Sequence, residues 1–293
     1  MANLRDLRKR RKSAASTKKI TRTMELVASS KLQKAQTAAA ASRPYAEGLR
    51  DLVSGLASGQ PKGSAAHPLM AKRETKTVAI VLCCSDRGLC GSFNANLVNL
   101  ALKHADKWKA KGVQVEFISV GKKGASTLTF FGFKPIISHV KVAGSPTFPQ
   151  AEKIAQELMD RFLALKVDLI EVVYARFIST TRQVPDTYVM LPAGAGDEAQ
   201  VKPSKGGQPD FFYEPEPEEL LAALIPQTVR TAFFSALLQT SAAEHAARRI
   251  AMKNASDAAG DMVKFITRDY NRGRQGKITQ EIAEIVGAVE AMA

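Results

Sequence analysis

The sequence predicts an α/β protein in which a long antiparallel coiled coil of the N- and C-terminal helices accompanies a body with a mainly parallel sheet. Three observations lead there. From Met1 to Arg43, and again from Gln227 to Ala259, there is neither Gly nor Pro, so the main helix breakers are missing from both ends. Between those ends, strand-like and helix-like runs alternate, the pattern of right-handed crossovers. From Val229 the apolar and small residues recur at alternating spacings of four and three (Val229, Phe233, Ala236, Thr240, Ala243, Ala247, Ile250). That is the 3.5-residue period of a coiled-coil seam.

The first helix carries an apolar ladder at Leu4, Leu7, Ile20, Met24 and Val27, with Ala14, Ala28, Ala35 and Ala38 as small fillers. Asn3 to Ser42 as one helix would reach ~60 Å at 1.5 Å per residue, too long for a small domain to stabilise, so it needs a partner helix. Pro44 is expected to kink or end it. A weaker amphipathic turn follows, and GLASGQPKGSAAHP (55–68) reads as a linker. Then come a strand at Thr77–Cys83, a helix over Asn94–Lys109, a strand at Val113–Val120 and a short helix over Lys122–Phe131. An edge strand at Ile136–His139 follows, then a helix over Gln150–Leu165 capped by Thr147 with Pro149 near its start. Strands at Asp168–Tyr174 and Thr187–Leu191 complete a Rossmann-like α/β domain.

AGAGDEAQVKPSKGGQPD (193–210) is a second linker, and FFYEPEPEELLAALIP a proline-punctuated approach to the last helix. The seam there continues less regularly through Ala258, Met262 and Phe265. Gly273 and Gly276 are expected to interrupt it before a final apolar face of Ile278, Ile282, Ile285, Val286 and Val289. The division is therefore 1–57 helix, 58–76 linker, 77–192 α/β domain, 193–210 linker and 211–293 helix. Pairing the ends antiparallel closes the chain on itself with the α/β domain between.

The formal net charge is +14, and residues 1–50 hold 13 Lys or Arg against Asp6, Glu25 and Glu47. Such a stripe calls for an anionic counterpart: nucleic acid, an anionic membrane surface, or acidic loops of a protein. No apolar run approaches the ~20 residues of a spanning helix, and MANLRDLRKRRKS lacks the apolar core of a secretory signal. Cys83, Cys84 and Cys90 are odd in number and lack metal-type spacing, so they read as reduced, cytosolic thiols.

No residue set argues for catalysis, a cofactor or a metal: HExxH is absent and His67, His104, His139 and His245 are scattered. SDRGLCGSFN could present backbone N–H groups of Gly88 and Gly91 to an anion, yet it matches neither a P-loop nor a dinucleotide fingerprint. A tight strand-to-helix turn explains the same residues. Near the C-terminus, RGRQGKITQE gathers Arg272, Arg274, Gln275, Lys277, Thr279, Gln280 and Glu281, a candidate docking point.

Four separated blocks then resemble one family. KKITRTMELVASSKLQKAQ with SRPYAE, the turn SDRGLCGSFN, the approach FFYEPEP, and HAARRIAMKNASDAAGDM with YNRGRQGKITQEIAEIVGA resemble the gamma subunit of F-type ATP synthases over nearly the full length. The resemblance implies a central-stalk rotor, one copy per complex, whose paired helices turn inside a ring of alpha and beta subunits. That ring, not this chain, would hold ATP, ADP and Mg. It implies beta-subunit contacts at Lys18, Lys19, Arg22, Met24 and Arg248, and at Arg274, Gln275, Thr279 and Glu281. Phe211, Tyr213 and Glu214 would meet the c-subunit ring and the epsilon subunit. The implied location is the cytoplasmic face of a bacterial inner membrane, as a peripheral subunit.

Two other readings follow from the residues. A basic coiled-coil nucleic-acid binder would use Arg5 to Lys19 on phosphates and lose affinity steeply with salt. A nucleotide-dependent enzyme built on SDRGLCGS would bind ATP or a dinucleotide by itself.

Overall fold

The structure is a computed structural model that describes residues 4–59, 67–194 and 217–292. The chain forms two compact units, one of Met1–Ala28 with Arg248–Ala293 and one of Ser29–Ala247. Two long helices run through both: α1 (Leu4–Gly59) and α5 (Pro217–Met292). Between them lie β1 (Thr77–Cys83), α2 (Phe93–Lys109), β2 (Gln114–Val120), α3 (Lys122–Phe130), β3 (Ile137–His139), α4 (Phe148–Leu163), β4 (Leu169–Phe177) and β5 (Gln183–Leu191).

In the larger unit the five strands run β3-β2-β1-β4-β5 across one sheet. All neighbours are parallel except β4 and β5, which pair antiparallel. β1, TVAIVLC, is buried along nearly its whole length, as expected of a central strand covered on both faces. β5 is longer than its sequence suggests because it is an edge strand, where Pro185 costs no ladder hydrogen bond on its outer side. Thr147 caps α4, and its N–H donates to Gln150 Oε1 at 3.3 Å.

One face of the sheet packs Ile154, Leu158 and Phe162 of α4 together with Leu221, Ile225, Val229, Phe233 and Leu237 of α5. The other packs Leu97 and Val98 of α2 and Leu128 near α3's end, with Ala243 of α5 at its margin. Thr240 Oγ1 accepts the Ala175 N–H of β4 at 3.2 Å. The first half of the seam read from the sequence is therefore core of the α/β body. Alternation of large and small residues suits helix-on-sheet packing as well as a coiled coil. In this unit α1 contributes Leu32, which packs with Ala242 and Ala246 of α5, and Gln227 Nε2 donates to Tyr45 Oη at 3.4 Å.

Three expectations about breakers are corrected. Pro44 does not end the first helix, which continues to Gly59 through part of the stretch read as linker. Pro226 lies inside α5, and Gly260, Gly273 and Gly276 do not interrupt it. An interior glycine costs only ~1 kcal/mol relative to alanine, too little by itself to end a long helix. α5 also holds an 18-residue window of mean hydropathy 1.4, apolar enough on average to span a membrane, contrary to the sequence reading.

Candidate functional site

The strand-to-helix turn satisfies its own polar groups. Ser85 Oγ donates to Arg87 C=O at 2.7 Å, and Asn94 Oδ1 accepts the Ser85 N–H at 3.0 Å. Asp86 Oδ1 takes the backbone N–H groups of Lys122 (3.2 Å) and Lys141 (3.0 Å). At Gly121, φ is +105° and a Cβ would stand 2.0 Å from the Cys84 carbonyl oxygen, so only glycine fits. The segment is a tight turn. Cys83, Cys84 and Cys90 are buried and free. Desolvation pushes the Cys83 thiol up to about 12 and Cys84 well above its ordinary value, which leaves both inert as nucleophiles. Among the described residues no group of His, Cys, Asp and Glu could hold a metal ion.

The smaller unit is a pair of antiparallel helical segments. Leu4 lies against Gly273, the Arg11 guanidinium sits 5.3 Å over the Tyr270 ring, and the Lys18 side chain crosses Gly260. The contact rows alternate three and four on both helices. On α1 the row is Leu4, Leu7, Arg11, Ala14, Lys18, Thr21, Glu25 and Ala28, buried or half-buried except Lys18. On α5 it is Met252, Ser256, Ala259, Val263, Ile266, Tyr270 and Gly273, of which Gly273 alone is exposed. Small residues at the centre let the two backbones approach closely.

This register corrects the sequence reading. Ile20 (58% exposed) and Val27 face outward with Leu26, and Ala258, Met262 and Phe265 (56% exposed) are outward too. Of the apolar ladder, Leu4 and Leu7 lie in the seam with the fillers Ala14 and Ala28, while Ile20 and Val27 face away from the partner helix. The small-residue register at Ala14, Thr21, Ala28, Ser256 and Ala259 is the available signal for the true seam.

The residues named by resemblance fall into two groups. Lys18, Lys19 and Arg22 are exposed and Met24 is half-buried. At about 100° per residue, Met24 shares its side of α1 with Ile20 and Val27, while Lys19 and Arg22 lie on the opposite flank of the seam. Arg22 Nη1 donates to Glu25 at 2.8 Å. Arg248, half-buried on α5, lies about seven turns before Arg274. Arg274, Gln275, Thr279 and Glu281 are exposed, as is every residue from Asn271 to Met292. They straddle the apolar stripe Ile278, Ile282, Ile285 and Val289, with Arg274 and Glu281 on one side and Gln275 and Thr279 on the other. Thr279 Oγ1 donates to Gln275 C=O at 3.0 Å, and Lys277 lies 3.6 Å from Glu281. Phe211, Tyr213 and Glu214 lie outside the described residues.

One unit is a helix pair that leaves large apolar side chains exposed and the other is an α/β body, and an apolar surface of that kind is one that other chains cover. A model of the ATP synthase family matches residues 3–292. The ATP synthase gamma chain of Leptospira biflexa is 41% identical over 294 residues, spanning 100% of both chains. That of Nitratidesulfovibrio vulgaris (Hildenborough) is 42% identical over 295 residues, spanning 100% of this chain and 99% of the relative. Among solved structures, the rotor of the Euglena gracilis mitochondrial ATP synthase shares the fold with a TM-score of 0.65 at 16% identity, over 94% of this chain and 98% of that one. The central stalk and c-ring structure from Tetrahymena thermophila gives 0.60 at 24% identity, over 81% of this chain and 99% of that one. The chain belongs to the ATP synthase gamma chain family. It is a non-catalytic subunit of the central-stalk rotor in a membrane-associated complex.

Proposed function

We propose that this chain turns as the axle inside a ring of alpha and beta subunits and couples proton flow through a c-subunit ring to ATP synthesis or hydrolysis. The observation that carries the reading is the outward apolar surface of the helix pair. Ile20, Leu26, Val27, Met262 and Phe265 are exposed, outside the rows that pair the two helices. Side chains of that size left outside a folded pair mark a surface meant to be covered.

The beta subunits are engaged at two levels. Met24, Lys18, Lys19 and Arg22, with Arg248 nearby along α5, serve one level; Arg274, Gln275, Thr279 and Glu281 serve the other. Solvated ion pairs there are worth under about 1 kcal/mol each, so contacts can be exchanged as the axle turns. Phe211, Tyr213 and Glu214 meet the c ring and epsilon. Residues 1–57 and 211–293 carry torque, 77–192 form the body, and 58–76 and 193–210 connect them. Nucleotide and Mg belong to alpha and beta, one copy of this chain serves each complex, and the complex sits on the cytoplasmic face of a bacterial inner membrane. Each charge crossing that membrane supplies about 2.3 kcal/mol per 100 mV, so several must be accumulated per ATP through a stiff element.

Reconstitution of the complex with and without this chain tests the reading. Omission is expected to abolish proton-driven ATP synthesis, and a complex that still couples without the chain overturns it. The nucleic-acid alternative has no comparable support, since the family relationship covers the basic helix as well.

A further inference from the structure

The α2 and α3 helices both end at the edge of the body where the parallel strands begin. α2 stops at Lys109, a few residues before β2 starts at Gln114, and α3 returns from Gly121 to Phe130. Lys109 Nζ lies 4.2 Å over the Phe133 ring, which fixes the two helix ends as neighbours. Phe130 is 84% exposed and Phe131 50%, with their rings edge to face at 5.6 Å. At the ends of the two helices and in the segments that follow them, Lys107, Lys109, Lys111 and Lys134 are all exposed.

Among the described residues, carboxylates do not balance this group. Glu116 is held by Arg161 at 2.6 Å, and Asp168 accepts the backbone N–H groups of Lys76 and Thr77. Glu171 is held by His104 and Trp108. Asp106 and Glu74 are exposed at the same end and leave the lysines in excess. Protruding aromatics on the same edge as exposed lysines match an anionic bilayer surface: rings enter the headgroup boundary and cations meet phosphates. An acidic protein surface would satisfy the lysines, but it gives no apolar layer for two adjacent phenyl rings.

We propose that this end of the body is a contact site for anionic phospholipid. Its orientation toward the membrane rests on the rotor reading. Binding to lipid itself does not rest on that reading.

Trp108, the one tryptophan of the chain, sits at this end with Lys111 Nζ 4.8 Å over its ring, and is the local reporter. Bulk vesicle sedimentation is uninformative because the basic first helix also attracts anionic lipid. The purified full chain is titrated with vesicles of phosphatidylcholine, or of phosphatidylcholine with phosphatidylglycerol brominated in its acyl chains. A second chain carries Trp108→Phe with Phe130→Trp, which puts the fluorophore at the tip. Brominated anionic vesicles are expected to quench both reporters, and zwitterionic ones are not. Phe131→Ser, and separately Lys109→Gln with Lys134→Gln, should each weaken the quenching isotherm, the lysine pair by more than about ten-fold. No quenching of either reporter, or equal quenching by both vesicle types, overturns the proposal. Coupled synthesis in the reconstituted complex is scored separately, so loss of the lipid contact is distinguishable from loss of the rotor role.

Discussion

Leu4 of α1 lies directly against Gly273 of α5: a Cβ at position 273 would stand 3.2 Å from Leu4 Cδ2. The neighbour is the tip of a half-buried side chain that can turn aside, so alanine fits with a small adjustment. Gly276, three residues on, has nothing within 4 Å of such a Cβ. Both sit mid-helix, where Gly costs about 1 kcal/mol relative to Ala. Gly276→Ala is expected to stabilise that stretch by close to this amount, and Gly273→Ala by less. Gly273→Leu should instead loosen the pairing of the first turns. Amide exchange at residues 268–280 in the three variants checks the order, and a protective effect of Gly273→Leu would contradict it.

The strands and the middle helices were legible because each carries one period. β1 begins and ends where the apolar run Thr77–Cys83 does, and Thr147 marks the start of α4. The terminal helices were legible as helices, but their register only in part: Leu4, Leu7, Ala14 and Ala28 lie in the seam, whereas Ile20 and Val27 do not. Apolar residues on α1 form two overlapping rows, and hydrophobicity alone favours the row of Ile20 and Val27 over that of Ala14, Thr21 and Ala28. Only the partner decides, and the partner here is another narrow helix. Likewise nothing local to Val229 or Phe233 says that a sheet covers them. That pairing is set by β4 and α4, far away in sequence. The residues that resemblance names as beta-subunit contacts lie at two separate levels along the helices.

His104 Nδ1 meets Glu171 Oε1 at 2.7 Å, and Trp108 Nε1 donates to Glu171 Oε2 at 3.2 Å. Glu171 stands in β4, where its side chain is only 8% exposed, so two α2 residues hold one carboxylate on the sheet. Removing a partner leaves a poorly compensated buried charge. His104→Ala is expected to cost about 2–4 kcal/mol, with a change in Trp108 emission. The double variant His104→Leu with Glu171→Leu should recover part of that loss. Urea unfolding of the set measures it; equal stability of His104→Ala and the parent would rule the account out.

Burial holds the thiol of Cys83 at about 12 against an ordinary 9.0, raises Cys84 well above 9.0, and raises the Tyr188 phenol well above 10.0. The unfolded chain therefore releases these protons first. Their contribution to stability is complete below pH 9 and declines as pH rises from 9 toward 12, at up to about 1.4 kcal/mol per pH unit for each group. Unfolding midpoints at pH 8 and pH 10 should differ, and Cys83→Ala with Cys84→Ala should reduce the difference. An unchanged slope in that variant would show that other groups set it.

Tyr188 Oη and Thr231 Oγ1 are buried without a hydrogen-bond partner among the described residues. Both line a cavity between β5 and α5 that also touches Ala46 and Leu49 of α1. A buried hydroxyl with no partner costs about 1–3 kcal/mol, and deleting it at constant shape recovers part of that. Tyr188→Phe is therefore expected to be neutral or to stabilise the body by up to about 1 kcal/mol. Thr231→Val should behave alike, because it keeps the branched shape while losing the oxygen.

Ile20, Met24 and Val27 share the outward side of α1, so changing them should spare the helix pair and damage only what it turns against. Ile20→Ser with Val27→Ser removes two large apolar side chains from solvent-facing positions and is expected to change the stability of the isolated chain by less than about 1 kcal/mol. Ala14→Leu, by contrast, forces bulk into the small-residue seam and should cost about 1–3 kcal/mol. In the reconstituted complex the order reverses in kind. The outward variant, and Met24→Lys with it, should reduce coupled synthesis while hydrolysis by the alpha and beta subunits persists. Measuring unfolding and coupling on the same three chains separates the two faces of one helix. If Ile20→Ser with Val27→Ser unfolds the chain, the register drawn for the seam is wrong.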